Sequence, residues 1–185
     1  RSELSGRAGL GERPGFAYGQ DHWFGFSFRL PDGFSLGTQN PQDQIHFQMH
    51  GSRNRGEAYR DPVFEIRARP THPPGTAAWW VSSRGDPREN MTAGARGCSY
   101  KWYNESWIGS VVGGRWESFV YHTRFVHDAP TGFVELWRNG VRVISWRDVG
   151  TAFNDAVTPY MKIGIYKWGW EVPRAYDVRD SQVTF

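Results

Sequence analysis

Two short segments with strict two-residue alternation constrain this chain more than any other feature. In residues 160–166, YMKIGIY, the apolar Met161, Ile163 and Ile165 alternate with two tyrosines, a lysine and a glycine. A β-strand turns successive side chains to opposite faces, so the pattern predicts a strand with one apolar and one functional face. Residues 44–50, QIHFQMH, repeat the arrangement with two glutamines and two histidines. Two such strands predict a single cleft across a β-sheet, with a floor suited to an anionic ligand.

The rest of the chain indicates an all-β protein. Aromatic residues make up 16% of the sequence, and such side chains favour pleated surfaces. The dipeptide Asn139-Gly140 is the strongest two-residue hairpin signal. Residues 83–115 are interpreted as long loops with short strands, and the polar loop 51–61 could lie over the cleft. We expect further strands within residues 24–30, 64–69, 116–125, 133–137, 141–143 and 176–185. The pattern predicts a β-sandwich or jelly roll.

Composition and charge exclude several classes of protein. A single cysteine, Cys98, excludes an internal disulfide. No apolar run is long enough to span a membrane, and no lysine-rich run or motif indicates nucleic-acid binding. The net charge is only +3, but most of the 22 cationic residues are arginines, whose forked donors match carboxylates and sulfates. An acidic polymer would suit them, although a genome that favours arginine explains the bias equally well.

Several blocks of sequence follow one another in a recognisable order. They are Arg1-Ser2-Glu3-Leu4, Gln48-Met49-His50-Gly51, Gly114-Arg115-Trp116, Trp137-Arg138-Asn139-Gly140 and Lys162-Ile163-Gly164-Ile165-Tyr166. The order resembles the polysaccharide lyase family of heparin lyase I and glucuronan lyase, and also the alginate lyases. The resemblance implies a jelly-roll sandwich of the concanavalin A-like type, with a concave sheet that binds substrate. Family members usually have strands before the Arg-x-Glu block, so we expect one lyase-like domain, 1–185, that lacks N-terminal strands.

The chemistry of such a lyase assigns roles to three residues. Eliminating the bond next to a uronate requires a base for the C5 proton, an acid for the departing O4 and donors that neutralise the carboxylate. His50 is the natural base, because the ordinary pKa of imidazole lies nearest neutrality. Tyr166 is assigned as the acid, or as base and acid in turn. Gln48 is assigned to the carboxylate.

Five more residues are candidates for binding the polymer: Arg1, His46, Tyr160, Lys162 and Trp168. His46 shares a predicted face with His50, so strand geometry alone does not show which histidine is central. The resemblance favours Gln48 and His50, since a glycine follows them as in the family. Tyr160 could instead serve packing, and Lys162 could be solvated. The assignment of Arg1 depends on the resemblance alone, whereas the indole of Trp168 could form a cleft wall.

The sequence therefore predicts a secreted or periplasmic, monomeric lyase that cleaves an acidic polysaccharide and needs no metal or cofactor. The alternative is a carbohydrate-binding module or lectin, but a lectin needs no phenol opposite an imidazole. Glucuronan, alginate, heparosan and heparin all remain open as substrates. Resemblance to glucuronan lyase favours glucuronate or mannuronate, in which the C5 proton and O4 lie on one side of the ring. On these sugars Tyr166 alone could move both protons, with His50 only assisting.

Overall fold

The computed structural model describes residues 2–5, 15–36, 42–89, 100–128 and 130–167. Within these ranges the chain forms ten strands, and it has no helix that could cross a membrane. The strands are β1 (Ser2–Ser5), β2 (Asp21–Arg29), β3 (Gln44–Ser52), β4 (Phe64–Pro70), β5 (Ala77–Gly85), β6 (Trp102–Ser110), β7 (Trp116–Arg124), β8 (Gly132–Arg138), β9 (Val141–Val149) and β10 (Val157–Tyr166).

The strands form two antiparallel sheets, as the predicted sandwich requires. The first has six strands in the order β1-β10-β3-β4-β5-β6, and the second has four in the order β2-β7-β8-β9. β3 and β10, the two strands predicted to share a cleft, are direct neighbours in the six-stranded sheet. Between β8 and β9, Asn139 and Gly140 have φ angles of 50° and 80°, the left-handed conformation of the predicted tight hairpin.

A core of apolar side chains fills the space between the sheets. The ring of Phe47 on β3 stacks on Phe26 at 4.1 Å between centroids, and Phe64 on β4 stacks on Tyr121 at 3.9 Å. Burying a side chain of this size contributes about 1.5–3 kcal/mol. Ile163 of β10 packs against the same core, as the alternation predicted. The apolar faces of β3 and β10 therefore attach the proposed cleft strands to the sandwich.

The prediction of long loops over residues 83–115 is wrong at both ends of that range. β5 continues to Gly85, and β6 is a nine-residue strand. β5 escaped detection because both of its faces are buried: Trp79 lies in the core, and Ser82 and Arg84 are buried on the opposite face. A strand buried on both faces has no simple alternation of apolar and polar residues. The predicted strand 176–185 lies outside the described residues.

A register shift in β3 changes the faces of its first residues. β3 pairs Ile45 with Arg67 and then Phe47 with Ile66, so two steps on β3 pass one step on β4. This arrangement is a β-bulge at His46, and a bulge redirects the side chains on one side of it. The alternation had placed Ile45 on the same face as Phe47. The bulge puts it on the face of Arg67, where it is still buried.

His46 consequently points into the core. Its ring lies 5.7 Å from the ring of Phe28 and 5.2 Å from that of Trp79, measured between centroids. Neither ring nitrogen has a hydrogen-bond partner, and burial lowers the pKa of His46 to about 3, so the ring is neutral. The prediction that His46 shares the cleft with His50 is wrong, because alternation cannot anticipate the bulge. His46 is a core residue and does not contribute to a substrate site.

Candidate active site

The candidate site lies on the outer face, the side of the six-stranded sheet that is turned away from the four-stranded sheet. There β10 and β3 pair Tyr160 with His50 and Lys162 with Gln48. Directly paired residues of antiparallel strands share a face, with Cβ atoms about 5 Å apart. Four of the side chains selected from the sequence thus form one compact array of a phenol, an imidazole, an ammonium and an amide.

His50 is buried and held at both ring nitrogens. Its Nδ1 lies 2.6 Å from the carbonyl oxygen of Gly51, and its Nε2 lies 2.8 Å from the hydroxyl of Tyr59. A carbonyl can only accept, so we assign the ring proton to Nδ1. In the neutral ring Nε2 then carries the lone pair and accepts a hydrogen bond from the Tyr59 hydroxyl. The imidazole is oriented with its basic nitrogen toward that hydroxyl.

Gly51 has a steric role beside this histidine. A Cβ atom at Gly51 would lie 2.0 Å from Oδ2 of Asp155, so only glycine fits without a shift of the carboxylate. Asp155 is itself buried, and this burial raises its pKa to about 7. The negative charge of Glu57 acts in the same direction, and the positive charge of Arg60 opposes it. The glycine after the histidine thus lets the strand pass close to a buried acid.

Tyr59 is a residue of the candidate site that the sequence interpretation missed. It belongs to the loop between β3 and β4, and 61% of its surface is exposed. Its ring centroid lies 5.5 Å from that of His50, so this part of the predicted loop 51–61 does reach the site. The only signal in the sequence is one aromatic residue in an otherwise polar loop, nine positions after His50.

Tyr160 has the imidazole on one side and a cation on another. Its ring centroid lies 6.1 Å from that of His50, and Nζ of Lys162 lies 5.3 Å from the Tyr160 centroid. Lys162 is buried, so its charge is poorly screened by water. The structure therefore places a phenol next to both a proton acceptor and a positive charge.

Tyr166, the tyrosine selected from the sequence, lies elsewhere on the strand. It is paired with Ile45, five residues from His50 along β3. At about 3.3 Å per residue, and with one residue taken up by the bulge at His46, that separation is roughly 13 Å. In this register Tyr166 is not directly paired with His50, so its catalytic role stays a prediction. The candidate binding residues Arg1 and Trp168 lie outside the described residues.

A buried network of charges continues the site across β4 and β5. Oε1 of Glu65, which is paired with Gln48, accepts hydrogen bonds from Arg67 (2.8 Å), Ser82 (2.8 Å) and Arg84 (2.9 Å). Three donors on one oxygen satisfy a carboxylate that water does not reach. The network therefore fixes the floor beside Gln48. Across the described ranges, no group of three or more His, Cys, Asp or Glu residues is placed to hold a metal ion.

Two indoles lie further along the outer face, where β5 and β6 pair Trp80 with Trp107. The guanidinium of Arg69 lies 4.3 Å above the Trp80 ring, and 59% of the Trp107 surface is exposed. Trp79 is a core residue, whereas Trp80 faces outward with the cleft residues.

Comparison with known proteins agrees with this architecture. A family model described as polysaccharide lyase matches residues 1–183. The endo-β-1,4-glucuronan lyase of the fungus Trichoderma reesei has a similar structure, with a TM-score of 0.68 and 19% identity over 91% of this chain and 63% of its own. Alginate lyase A1-II′, a member of polysaccharide lyase family 7, gives a TM-score of 0.53 and 16% identity over 90% of this chain and 61% of its own.

A third solved structure, alginate lyase AlyC3 in complex with dimannuronate, gives a TM-score of 0.54 and 10% identity over 83% of this chain and 60% of its own. The chain thus spans about three fifths of the length of the structures it resembles. At these identities the likeness shows a shared fold. No curated protein sequence gives a significant match.

Proposed function

Because the chain belongs to the polysaccharide lyase family, we propose that it cleaves a uronate-containing polysaccharide by β-elimination on the outer face. One observation carries the proposal: His50, whose Nδ1 lies 2.6 Å from the carbonyl oxygen of Gly51, is paired with Tyr160 beside Gln48 and Lys162. The array contains each group that the elimination needs. The names of the similar structures, a glucuronan lyase and an alginate lyase bound to dimannuronate, are consistent with a uronate polymer.

The row formed by Gln48 and Lys162 would receive the uronate carboxylate. Removing the C5 proton spreads negative charge onto that carboxylate, and fixed donors stabilise the developing charge better than mobile water does. The amide of Gln48 supplies N–H donors and Lys162 supplies a cation. The buried network on Glu65 holds the neighbouring strand, so these donors need little reorganisation during the reaction.

The row formed by His50 and Tyr160 would move the protons. The C5–H electron pair becomes the C4=C5 double bond as the C4–O4 bond breaks. Nε2 of His50 is the final acceptor of the C5 proton, and the Tyr160 hydroxyl gives a proton to O4. Water then takes the imidazolium proton and reprotonates the Tyr160 phenolate, which restores both groups. Tyr160 takes the role first assigned to Tyr166, since it is the phenol paired with His50.

The strand positions also support a sugar preference. His50 and Tyr160 rise from adjacent strands, so both approach the sugar from the sheet side. In glucuronate and mannuronate the C5 proton and O4 lie on the same side of the ring, whereas in guluronate and iduronate they lie on opposite sides. We therefore place glucuronate and mannuronate polymers first. The same proposal includes a monomeric protein. It also places the protein outside the cytoplasm, secreted or periplasmic, because that is where a polysaccharide is met.

Release of ultraviolet-absorbing, unsaturated product tests the proposal. Glucuronan, polymannuronate, polyguluronate and heparosan are incubated separately with the wild-type protein and with Tyr160→Phe. We expect product from glucuronan or polymannuronate with the wild type, and a large loss of rate in the variant. Binding of these polymers without any unsaturated product would refute the lyase proposal and favour a carbohydrate-binding module.

A further inference from the structure

The hydroxyl of Tyr59 occupies the one nitrogen of His50 that can accept a proton. We propose that Tyr59 is a catalytic residue that relays the C5 proton from the sugar to His50. The inference deepens the proposed function and depends on it. It rests on two hydrogen bonds, Nδ1–H to the Gly51 carbonyl at 2.6 Å and the Tyr59 hydroxyl to Nε2 at 2.8 Å.

These two contacts leave one direct path to the base. Nδ1 carries a proton because Gly51 can only accept, so Nδ1 is no base in the neutral ring. Nε2 has the lone pair, but the Tyr59 hydroxyl already donates to it. A proton from C5 therefore reaches His50 through the Tyr59 oxygen, or else the sugar first displaces Tyr59.

The loop is anchored on both sides of Tyr59, which favours the relay over displacement. Nη2 of Arg60 donates to Oε1 of Glu57 at 3.2 Å, and both side chains are buried. Nη2 of Arg60 also donates to the carbonyl of Arg88 at 2.6 Å. The side-chain amide of Asn54 donates to the carbonyl oxygen of Asn154 at 3.0 Å. The backbone at Tyr59 is thus pinned, while 61% of the residue remains exposed to an incoming polymer.

The relay balances without any added reactant. The C5–H bond breaks and its proton forms the new O–H bond of Tyr59, as the proton of Tyr59 passes to Nε2 of His50. The C5 electron pair forms C4=C5, the C4–O4 bond breaks, and O4 takes the proton of Tyr160. Nε2 then passes its proton back through the exposed Tyr59 hydroxyl to water, and water reprotonates the Tyr160 phenolate, which restores the resting state.

Steady-state kinetics of Tyr59→Phe provide the first test, with Tyr103→Phe as a control that removes a phenol hydroxyl from β6, near the opposite edge of the sheet. The relay predicts a loss in kcat of about 100-fold or more, the scale of general acid–base catalysis, with little change in KM. The control should retain its kcat. A Tyr59→Phe variant with unchanged or higher kcat and a lower KM would show that Tyr59 is a displaced cap, and would overturn the relay.

Two spectroscopic and chemical measurements separate the relay from a purely structural role. Nitrogen NMR of His50 in the wild type should show a neutral ring protonated at Nδ1; protonation at Nε2 would overturn the inference even if the protein is inactive. Fluorinated tyrosine at position 59 makes the phenol more acidic, so the pH profile of kcat should shift only if Tyr59 carries the proton. Failure of the wild type to release unsaturated product would refute the lyase proposal itself, whereas an active wild type with a fully active Tyr59→Phe would refute the relay alone.

Discussion

The tyrosine assignment gives the sharpest test of the site, because the chain offers a matched pair. Tyr160→Phe and Tyr166→Phe each remove one hydroxyl from β10 and keep the ring. Tyr160 is paired with His50, whereas Tyr166 is paired with Ile45, roughly 13 Å away along the sheet at about 3.3 Å per regular residue. If proximity to the imidazole decides the role, only Tyr160→Phe should affect the chemical step.

The expected magnitudes follow from that geometry. Loss of a general acid lowers turnover by about 10²–10⁴, and a hundredfold loss corresponds to about 2.7 kcal/mol of transition-state stabilisation. Tyr166→Phe should lose less than about tenfold, which is below about 1.4 kcal/mol. Both variants should keep the thermal unfolding midpoint near that of the wild type, because the aromatic ring still packs.

Initial rates of unsaturated product on glucuronan or polymannuronate measure both variants. A substrate titration separates kcat from KM, and the loss in Tyr160→Phe should fall on kcat. A hundredfold loss in Tyr166→Phe with near-native rates in Tyr160→Phe would refute the reasoning and restore the assignment made from the sequence.

Three further predictions concern the surroundings of this pair. Gln48→Ala should cost about 3 kcal/mol of transition-state stabilisation, the value of one preorganised donor, which is seen as a lower kcat/KM. An unchanged kcat/KM would show that Gln48 does not bind the carboxylate. Glu65→Gln should lower the free energy of unfolding by about 3 kcal/mol, because it removes the buried negative charge that pairs with two arginines. Thermal unfolding of this variant and of the exposed control Glu89→Gln measures the difference. Burial raises the pKa of Asp155 from 3.8 to about 7, so the folded state keeps a proton that the unfolded chain releases, and stability falls as pH rises across that interval. Asp155→Asn cannot ionise, so its unfolding midpoint should fall less between about pH 5 and about pH 8 than that of the wild type, and equal falls would contradict the assignment.

Much of the sandwich could be predicted from local sequence patterns. The alternation in residues 160–166 correctly placed Ile163 against the core. The dipeptide Asn139-Gly140 correctly predicted a tight hairpin. Both are local properties: the pleat fixes the period of two, and the hairpin turn needs residues that tolerate positive φ. The order of the sequence blocks likewise resembled a polysaccharide lyase family, and a polysaccharide lyase family model matches residues 1–183.

Alternation failed where neighbouring strands changed the geometry. The bulge at His46 turned that ring into the core, although its position in the pattern was the same as that of His50. β5 was missed because its outward side chains, among them Arg84, are buried by ion pairs with another strand. Neither feature is encoded in a period of two.

The sequence by itself determined which faces of β3 and β10 are apolar beyond the bulge, and hence that Gln48, His50, Tyr160 and Lys162 stand away from the core. Only the tertiary structure decided which tyrosine lies beside His50 and that Tyr59 donates to its Nε2. The physical reason is that side-chain direction within a strand follows from local backbone sterics. Register between β3 and β10, which are more than one hundred residues apart in the chain, follows instead from the packing and hydrogen bonds of the whole sheet.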